Sequence, residues 1–382
     1  MSREEEFAEL AERAGERELS GASAPPRGFA PEQLVACGRC LRANAPTRMN
    51  CLYCGAQLPQ TAESEKLRRP ALKKLEEWEQ GFNVVLLPGD EKRSPRGESG
   101  PSRGGGRLTP EAVAEAASLL RLDAARLTEI IGARRALPLA RASSFEEAGL
   151  IVKRLGALGL PSEVFADEEL ARQPVRVRAL TLEERALVCW PGLDAAPRRV
   201  EWAEVLLLLT GRVVEKRVEV EERREKMRGR GEVVETREIA SDEAVLDIHV
   251  ASQTEVASRP GASSEREADS QFEGDCFRIL ADSFDYSCLG ASKRLLAREN
   301  FVTLVETLRE RAPSAAFDDG YASTRALLSS AWPPAERTES LGLRRDRPGH
   351  FNTEAATFVS NEPQFTRYSR LRLRFMLREG KF

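Results

Sequence analysis

The chain has 382 residues, of which 31% are charged with a formal net charge of only −3, and 41% are hydrophobic. That length predicts two or three domains, and the balanced charge excludes a bulk polyanion binder. No apolar run approaches the roughly 20 residues needed to cross a bilayer, and "MSREEEFAEL" has neither region of a signal peptide, so a soluble cytoplasmic protein is expected.

Residues 1–30 place Phe7, Leu10, Ala11 and Ala14 at helical spacing in a charged segment, which predicts a short amphipathic helix broken by "GASAPPRG". Residues 31–59 then hold four of the seven cysteines, as the pairs Cys37/Cys40 and Cys51/Cys54 separated by ten residues. A zinc ion takes four thiolates in a tetrahedron at about 2.3 Å, and two CxxC turns supply two sulfurs each. Gly38 and Gly55 fall where tight knuckles need positive φ. A redox CxxC would occur once, between a strand and a helix. Four cysteines close the coordination shell and leave no open position for catalysis, so one structural Zn2+ is predicted. The surrounding apolar set, Leu34, Val35, Leu41, Leu52, Tyr53 and Leu58, is too small to build a core, and metal binding worth on the order of 10 kcal/mol supplies most of the folding energy. The segment, including "CGAQLP", resembles the small zinc ribbons at the N-termini of many bacterial proteins. That resemblance implies a structural or protein-binding role and occasionally a nucleic-acid-binding one.

Residues 60–172 open with a linker helix expected from Pro70, with Ala71, Leu72, Leu75 and Trp78 on one stripe and Gly81 as its end. "FNVVLLPG" reads as a buried strand, and 90–108 as a polar insertion without structure. Its triple glycine lacks the GKS or GKT ending of a phosphate loop. Thr109 as N-cap and Pro110 start a helix with Val113, Ala116, Ala117 and Leu120, and Asp123 caps a second with Leu127, Ile130 and Ile131, ended by Gly132. "ALPLARA" is extended. A Ser143/Glu146 capping box starts a third helix with the stripe Ala148, Ile151, Val152 and Leu155, closed by Gly159, and "SEVFAD" is a strand. The resulting βααβαβ order, carried by "NVVLL", "AARLTEIIGARRALPLA" and "SFEEAGLIVKRLGALGLPSEVF", resembles the C-terminal domain of the bacterial ribosomal stalk protein and the ClpS-type adaptors. It implies a module that binds protein partners and catalyses nothing. "PGDEK" does not match the adaptors' acidic specificity motif, so degron recognition is not implied.

Residues 174–313 change to strands, with alternation clearest at Val218/Val220 and Leu246/Ile248/Val250, a basic turn at "RREKMRGRG" and an exposed loop from "QTEVAS" to "SQFEG". A helix with Phe301, Leu304, Val305 and Leu308 on one face stops at Pro313. Six or seven antiparallel strands and one closing helix resemble the pleckstrin-homology-like barrel, a fold that specifies no single ligand. Residues 314–382 hold a helix candidate, "YASTRALLSSAW", an irregular stretch, and a basic aromatic tail that fits a helix face and a strand about equally. Arg367, Tyr368, Arg370, Arg372 and Arg374 are its candidate partner-binding residues.

Catalytic signatures are missing: there is no GxSxG, HExxH, P-loop or dinucleotide fingerprint. His249 alternates away from the apolar face of its strand and is expected in solvent beside Asp247; His350 is expected in a loop, "FDDGY" in a turn, and Cys189, Cys276 and Cys288 as reduced, packed thiols. The expected architecture is a multidomain α+β protein: zinc ribbon, βααβαβ module, and pleckstrin-homology-like barrel capped by a helix. The expected role is a non-enzymatic cytoplasmic interaction or scaffold protein working through protein contacts. One alternative is a nucleic-acid or ribosome-associated factor using Arg39, Arg42 and Arg48 of the ribbon with the basic tail. A second is association with an anionic membrane surface.

Overall fold

The computed structural model describes residues 33–59, 79–88, 108–192, 196–225, 231–251, 275–347 and 350–378, with Phe29, Pro70, Leu72 and Leu75. The helix expected around Phe7–Ala14, most of the expected linker helix including Trp78, the insertion over 90–107 and the long loop over 252–274 lie outside the described residues; Pro70, Leu72 and Leu75 of that linker are described and are not helical, Leu72 having φ 39°. Residues 1–71 and 72–382 form two separate compact units, and the expected boundaries near 172 and 313 fall inside the second. No helix among the described residues is long and apolar enough to cross a membrane.

In the first unit, β1 (Val35–Ala36) pairs antiparallel with β2 (Ala43–Asn44). Among the described residues its buried hydrophobic cluster is Cys37, Cys51 and Leu58, so sulfur stands where a larger domain would place a hydrocarbon core.

The second unit is a mixed α+β body with two cores. From Phe82 to Ala166 the order is β3 (Phe82–Leu86), α1 (Pro110–Leu120), α2 (Ala124–Gly132), β4 (Leu137–Ala142), α3 (Phe145–Ala157) and β5 (Ser162–Ala166). Local chemistry sets the helix starts. The Thr109 hydroxyl accepts from the Ala112 N–H ahead of Pro110, and the Asp123 carboxylate accepts from the Ala125 N–H at 2.7 Å. On α3 the cap is Ser144, one residue later than expected, and Glu147 turns back to accept from the Ser143 N–H and hydroxyl. β3 lies between β4 and β5, antiparallel to both. A one-turn helix, α4 (Asp167–Leu170), follows.

β6 (Val175–Arg176) leads to a separate three-stranded sheet of β7 (Ala179–Leu182), β8 (Ala186–Trp190) and β9 (Arg198–Glu201). The segments read from sequence as several short strands are then two long ones, β10 (Val205–Glu225) and β11 (Gly231–Val250), followed by β12 (Asp275–Leu280), α5 (Ala297–Arg311), β13 (Ala316–Asp318) and α6 (Tyr321–Leu328). The stretch expected to be irregular is a hairpin of β14 (Ala335–Arg347) and β15 (His350–Ser360), so His350 opens a strand. The tail is a helix, α7 (Glu362–Arg378). The larger sheet runs β14-β15-β10-β11-β12-β6, with β13 beside β10, and β6 and β13 pair in parallel. No ladder among the described residues joins it to β7–β9, so the expected antiparallel barrel is instead two sheets.

Alternation along the long strands feeds both cores at once. Leu207, Leu209 and Val213 face the first core, with the α/β module and Phe365, Tyr368 and Leu371 of α7. Leu208, Leu246 and Ile248 face the second, closed by β7–β9 and by Phe301, Leu304, Val305 and Leu308 of α5. The part of the sheet up to Val213 and Ala244 is therefore covered on both sides.

Candidate metal centre

The two CxxC turns repeat one backbone arrangement. In the first, the Cys37 N–H donates to the Arg42 carbonyl at 3.0 Å and the Leu41 N–H to the Cys37 carbonyl at 2.9 Å; in the second, Cys51 donates to Ala56 at 2.7 Å and Gly55 to Cys51 at 3.0 Å. The fifth residue of each turn is left-handed: Gly55 at φ 71° and Leu41 at φ 59°. The expectation for Gly38 is thus corrected, because the positive φ of the first knuckle falls on a leucine.

The turns gather all four sulfurs. Cys37 Sγ and Cys54 Sγ are 3.6 Å apart, Cys40 Sγ and Cys51 Sγ 3.5 Å, and all four lie within 4.8 Å of one another. Four sulfurs at about 2.3 Å around a tetrahedral ion would be roughly 3.8 Å apart, whereas a disulfide would need about 2.05 Å. The donor set therefore fits one metal ion. Around it, the Arg39 N–H donates to Cys37 Sγ and the Tyr53 N–H to Cys51 Sγ, each at 3.4 Å. Asn44, buried on β2, donates to Cys51 Sγ at 3.5 Å and accepts from the Leu52 N–H at 2.9 Å, tying the strand pair to the second knuckle.

Backbone N–H groups of Cys40 and Arg39 pull the Cys37 thiol below its ordinary range. At Cys51 burial opposes ionisation, but the N–H groups of Tyr53 and Cys54 outweigh it and bring the thiol down to about 6. At Cys40 the Arg42 N–H favours ionisation, but burial and the sulfurs of Cys51, Cys54 and Cys37 push the thiol up to about 12, so the four ionise together only with a neutralising cation, the condition a coordinated metal satisfies. Outside the cluster the ribbon is exposed: Leu41 is 81% accessible, Leu52 63% and Tyr53 53%, and the Arg42 guanidinium lies 4.7 Å from the Tyr53 ring centre.

A second group of ligand-type residues sits in the body. Asp247 and His249 on β11 pair across the ladder with Arg278 and Cys276 on β12, and all four are buried. The solvent expected around His249 is replaced by α7: His249 Nε2 lies 2.7 Å from Ser369 Oγ and 3.8 Å from Cys276 Sγ. Arg278 grips both oxygens of Asp247, at 2.8 and 2.9 Å, and also reaches Glu362 and Thr366 at 3.0 Å each. Burial, reinforced by Arg370 and Arg278 against the opposing Asp247, holds the imidazole neutral down to about 3, and burial raises the Cys276 thiol well above its usual range. A guanidinium already occupies the carboxylate, and the thiol stays protonated. Asp247, His249 and Cys276 bring three ligand-type atoms within 4.8 Å of one another, while Arg278, bound to Asp247, Glu362 and Thr366, ties α7 to the sheet.

The tail residues singled out from sequence all lie on α7, and each arginine with a resolved ion-pair partner meets an acid of this chain. Arg372 Nε is 2.7 Å from Asp318 Oδ2, Arg374 3.1 Å from Glu169, and Arg367 Nε 3.7 Å from Asp167. Asp318, which ends β13 although a turn throughout "FDDGY" is expected from the sequence, also accepts from the Gly320 N–H at 2.7 Å. Tyr368 is fully buried and Arg370 is 7% exposed. The other cysteines are free thiols, with burial raising Cys189 to about 12 and Cys288 to about 11.

Compared with protein-family models, with curated proteins and with solved structures, the chain matches none. The resemblances to the stalk and adaptor domain and to the pleckstrin-homology-like fold accordingly gain no support from them.

Proposed function

We propose that the protein is a non-enzymatic cytoplasmic interaction protein, in which a structural zinc ion holds the ribbon in shape so that its knuckles contact a protein partner. Leu41 carries this reading. A left-handed leucine costs roughly 1 kcal/mol, which packing would have to offset, and Leu41 is 81% exposed. The knuckle's hydrogen bonds account for the left-handed turn, but no core contact accounts for a leucine in it, whereas a partner would. Leu52 and Tyr53 are further exposed apolar residues, the Arg42 guanidinium lies over the Tyr53 ring, and with Arg39 and Arg48 the ribbon has no acidic residue between Gln33 and Pro59. A partner surface combining apolar and acidic groups fits that chemistry.

The nucleic-acid alternative rests on the same three arginines, without the tail, whose side chains pair within the chain. Affinity capture with the full chain and with Leu41→Gly separates the readings. The variant relaxes the backbone and so keeps its zinc, and it should lose a protein partner at least tenfold. Equal recovery by both chains, or recovery abolished by nuclease, would contradict the protein-binding reading.

A further inference from the structure

Between the 3-10 segment Tyr286–Ser292 and α5 the chain makes a short connection, Lys293 to Leu296, that breaks local rules at successive positions. Leu295 is 97% accessible. Leu296 is the N-cap of α5, at φ −92° and ψ 128°, yet it is 57% accessible and gives the helix no side-chain acceptor, where Ser, Thr, Asp or Asn is favoured. Lys293, Arg294 and Arg298, all exposed, stand at the end of α5 whose dipole favours acids. Neither leucine belongs to a core, so neither packing nor the helix accounts for this composition.

The connection is nonetheless held at its base. Buried Asn300 accepts from the Arg294 N–H at 2.6 Å and donates to the Arg294 carbonyl at 2.9 Å, and the Lys293 N–H donates to the Gly290 carbonyl at 3.2 Å. Its two leucines are therefore presented from a fixed turn. Charge around them has one sign. No acidic residue occurs from Tyr286 to Arg298, and Arg294 and Arg298 meet no acid among the described residues. Lys293 lies 3.6 Å from Asp285, and both are solvent-exposed, so that pair is weak.

We propose that this turn docks on an anionic lipid bilayer, with Leu295 and Leu296 entering the interface and Lys293, Arg294 and Arg298 resting among the headgroups. Charge complementarity selects an anionic partner, and shape selects a lipid one. At 97% accessibility Leu295 touches almost nothing of its own chain, so the turn offers a tip, whereas a protein interface buries a broad core inside a polar rim. A bilayer needs no complementary cup, because acyl chains close around an apolar tip while cations stay at headgroup level. Two leucines and three cations give reversible binding that depends on lipid composition.

Cosedimentation of the full chain with lipid vesicles tests this directly. The wild type should pellet with vesicles of phosphatidylserine and phosphatidylcholine in equal parts and stay in the supernatant with phosphatidylcholine alone. Leu295→Ser with Leu296→Ser, and separately Arg294→Gln with Arg298→Gln, should each lower the partition coefficient at least about tenfold, through lost insertion and lost headgroup attraction. Leu341→Ser, at an exposed leucine of β14, should pellet like the wild type. A packing role is read separately. Serine supplies the acceptor that the cap of α5 lacks, so the leucine double variant should unfold at or above the wild-type urea midpoint. A wild type that ignores anionic vesicles or pellets equally with neutral ones, a double variant that binds undiminished, weakened binding by Leu341→Ser, or a lowered midpoint in the leucine variant would overturn the proposal. So would a wild type that ignores vesicles while the leucine variant loses a captured protein, which would give the tip to a protein partner. The turn shares no residue with the ribbon, so failure here leaves the ribbon's role standing.

Discussion

His249 shows how far a single residue departs from its local sequence. Alternation correctly assigns its side chain to the face opposite Ile248 and Val250, but that face is covered by α7, a helix more than 110 residues further along the chain. The consequence is a pH dependence. Unfolded, the imidazole takes a proton near 6.5; folded, only near 3. Between those values the unfolded chain holds more protons, so stability is complete above about pH 6.5 and falls as the pH drops toward 3, by at most about 1.4 kcal/mol per pH unit for one proton. Urea unfolding midpoints at pH 7, 6, 5 and 4 should decline for the wild type and decline less steeply for His249→Gln; equal slopes would refute the assignment. Leu41 is the reverse case. The CxxC pattern identifies the knuckle, but the residue that must turn left-handed is fixed by the repeated hydrogen bonds of both turns, which spacing alone does not reveal.

Elements with a local chemical start were legible: Thr109 with Pro110, Asp123, and the apolar stripe Ala148, Ile151 and Leu155 each act within a few residues. The hairpin β14–β15 was not, because Thr338, Ser340 and Thr357 share one face of it and count as polar in any hydropathy pattern. α7 was ambiguous because arginine and apolar residues fall at both periods, and what selects the helix is distant in sequence: the core that buries Phe365, Tyr368 and Leu371, and the acids Asp167, Asp318 and Glu169. Its seating depends on Gly211. A Cβ there would lie 2.4 Å from the Phe365 ring, so β10 and α7 approach only because the side chain is missing. Gly211→Val should cost about 1–3 kcal/mol or more in chemical unfolding. Gly156→Ala on α3, where a Cβ meets nothing within 4 Å, should instead stabilise by about 0.5–1 kcal/mol, and matching effects at the two sites would contradict the packing described.

At the scale of the molecule, the two units are stabilised by different physics. The body has two hydrocarbon cores and a buried ion-pair network; among the described residues the ribbon's hydrophobic cluster has three buried members, two of them cysteines of the four-sulfur group. This division was legible from the cysteine spacing and the sparse apolar content around it. The sharing of one sheet by both cores was not, since it depends on pairings across more than 100 residues, such as Glu215↔Ser360. Metal analysis of the purified full chain by inductively coupled plasma mass spectrometry tests the central claim most directly. One zinc per chain, falling below about 0.1 in Cys51→Ser, is the result expected; a wild-type chain without stoichiometric zinc, or a variant that keeps it, would contradict a ribbon built on four sulfurs and one ion.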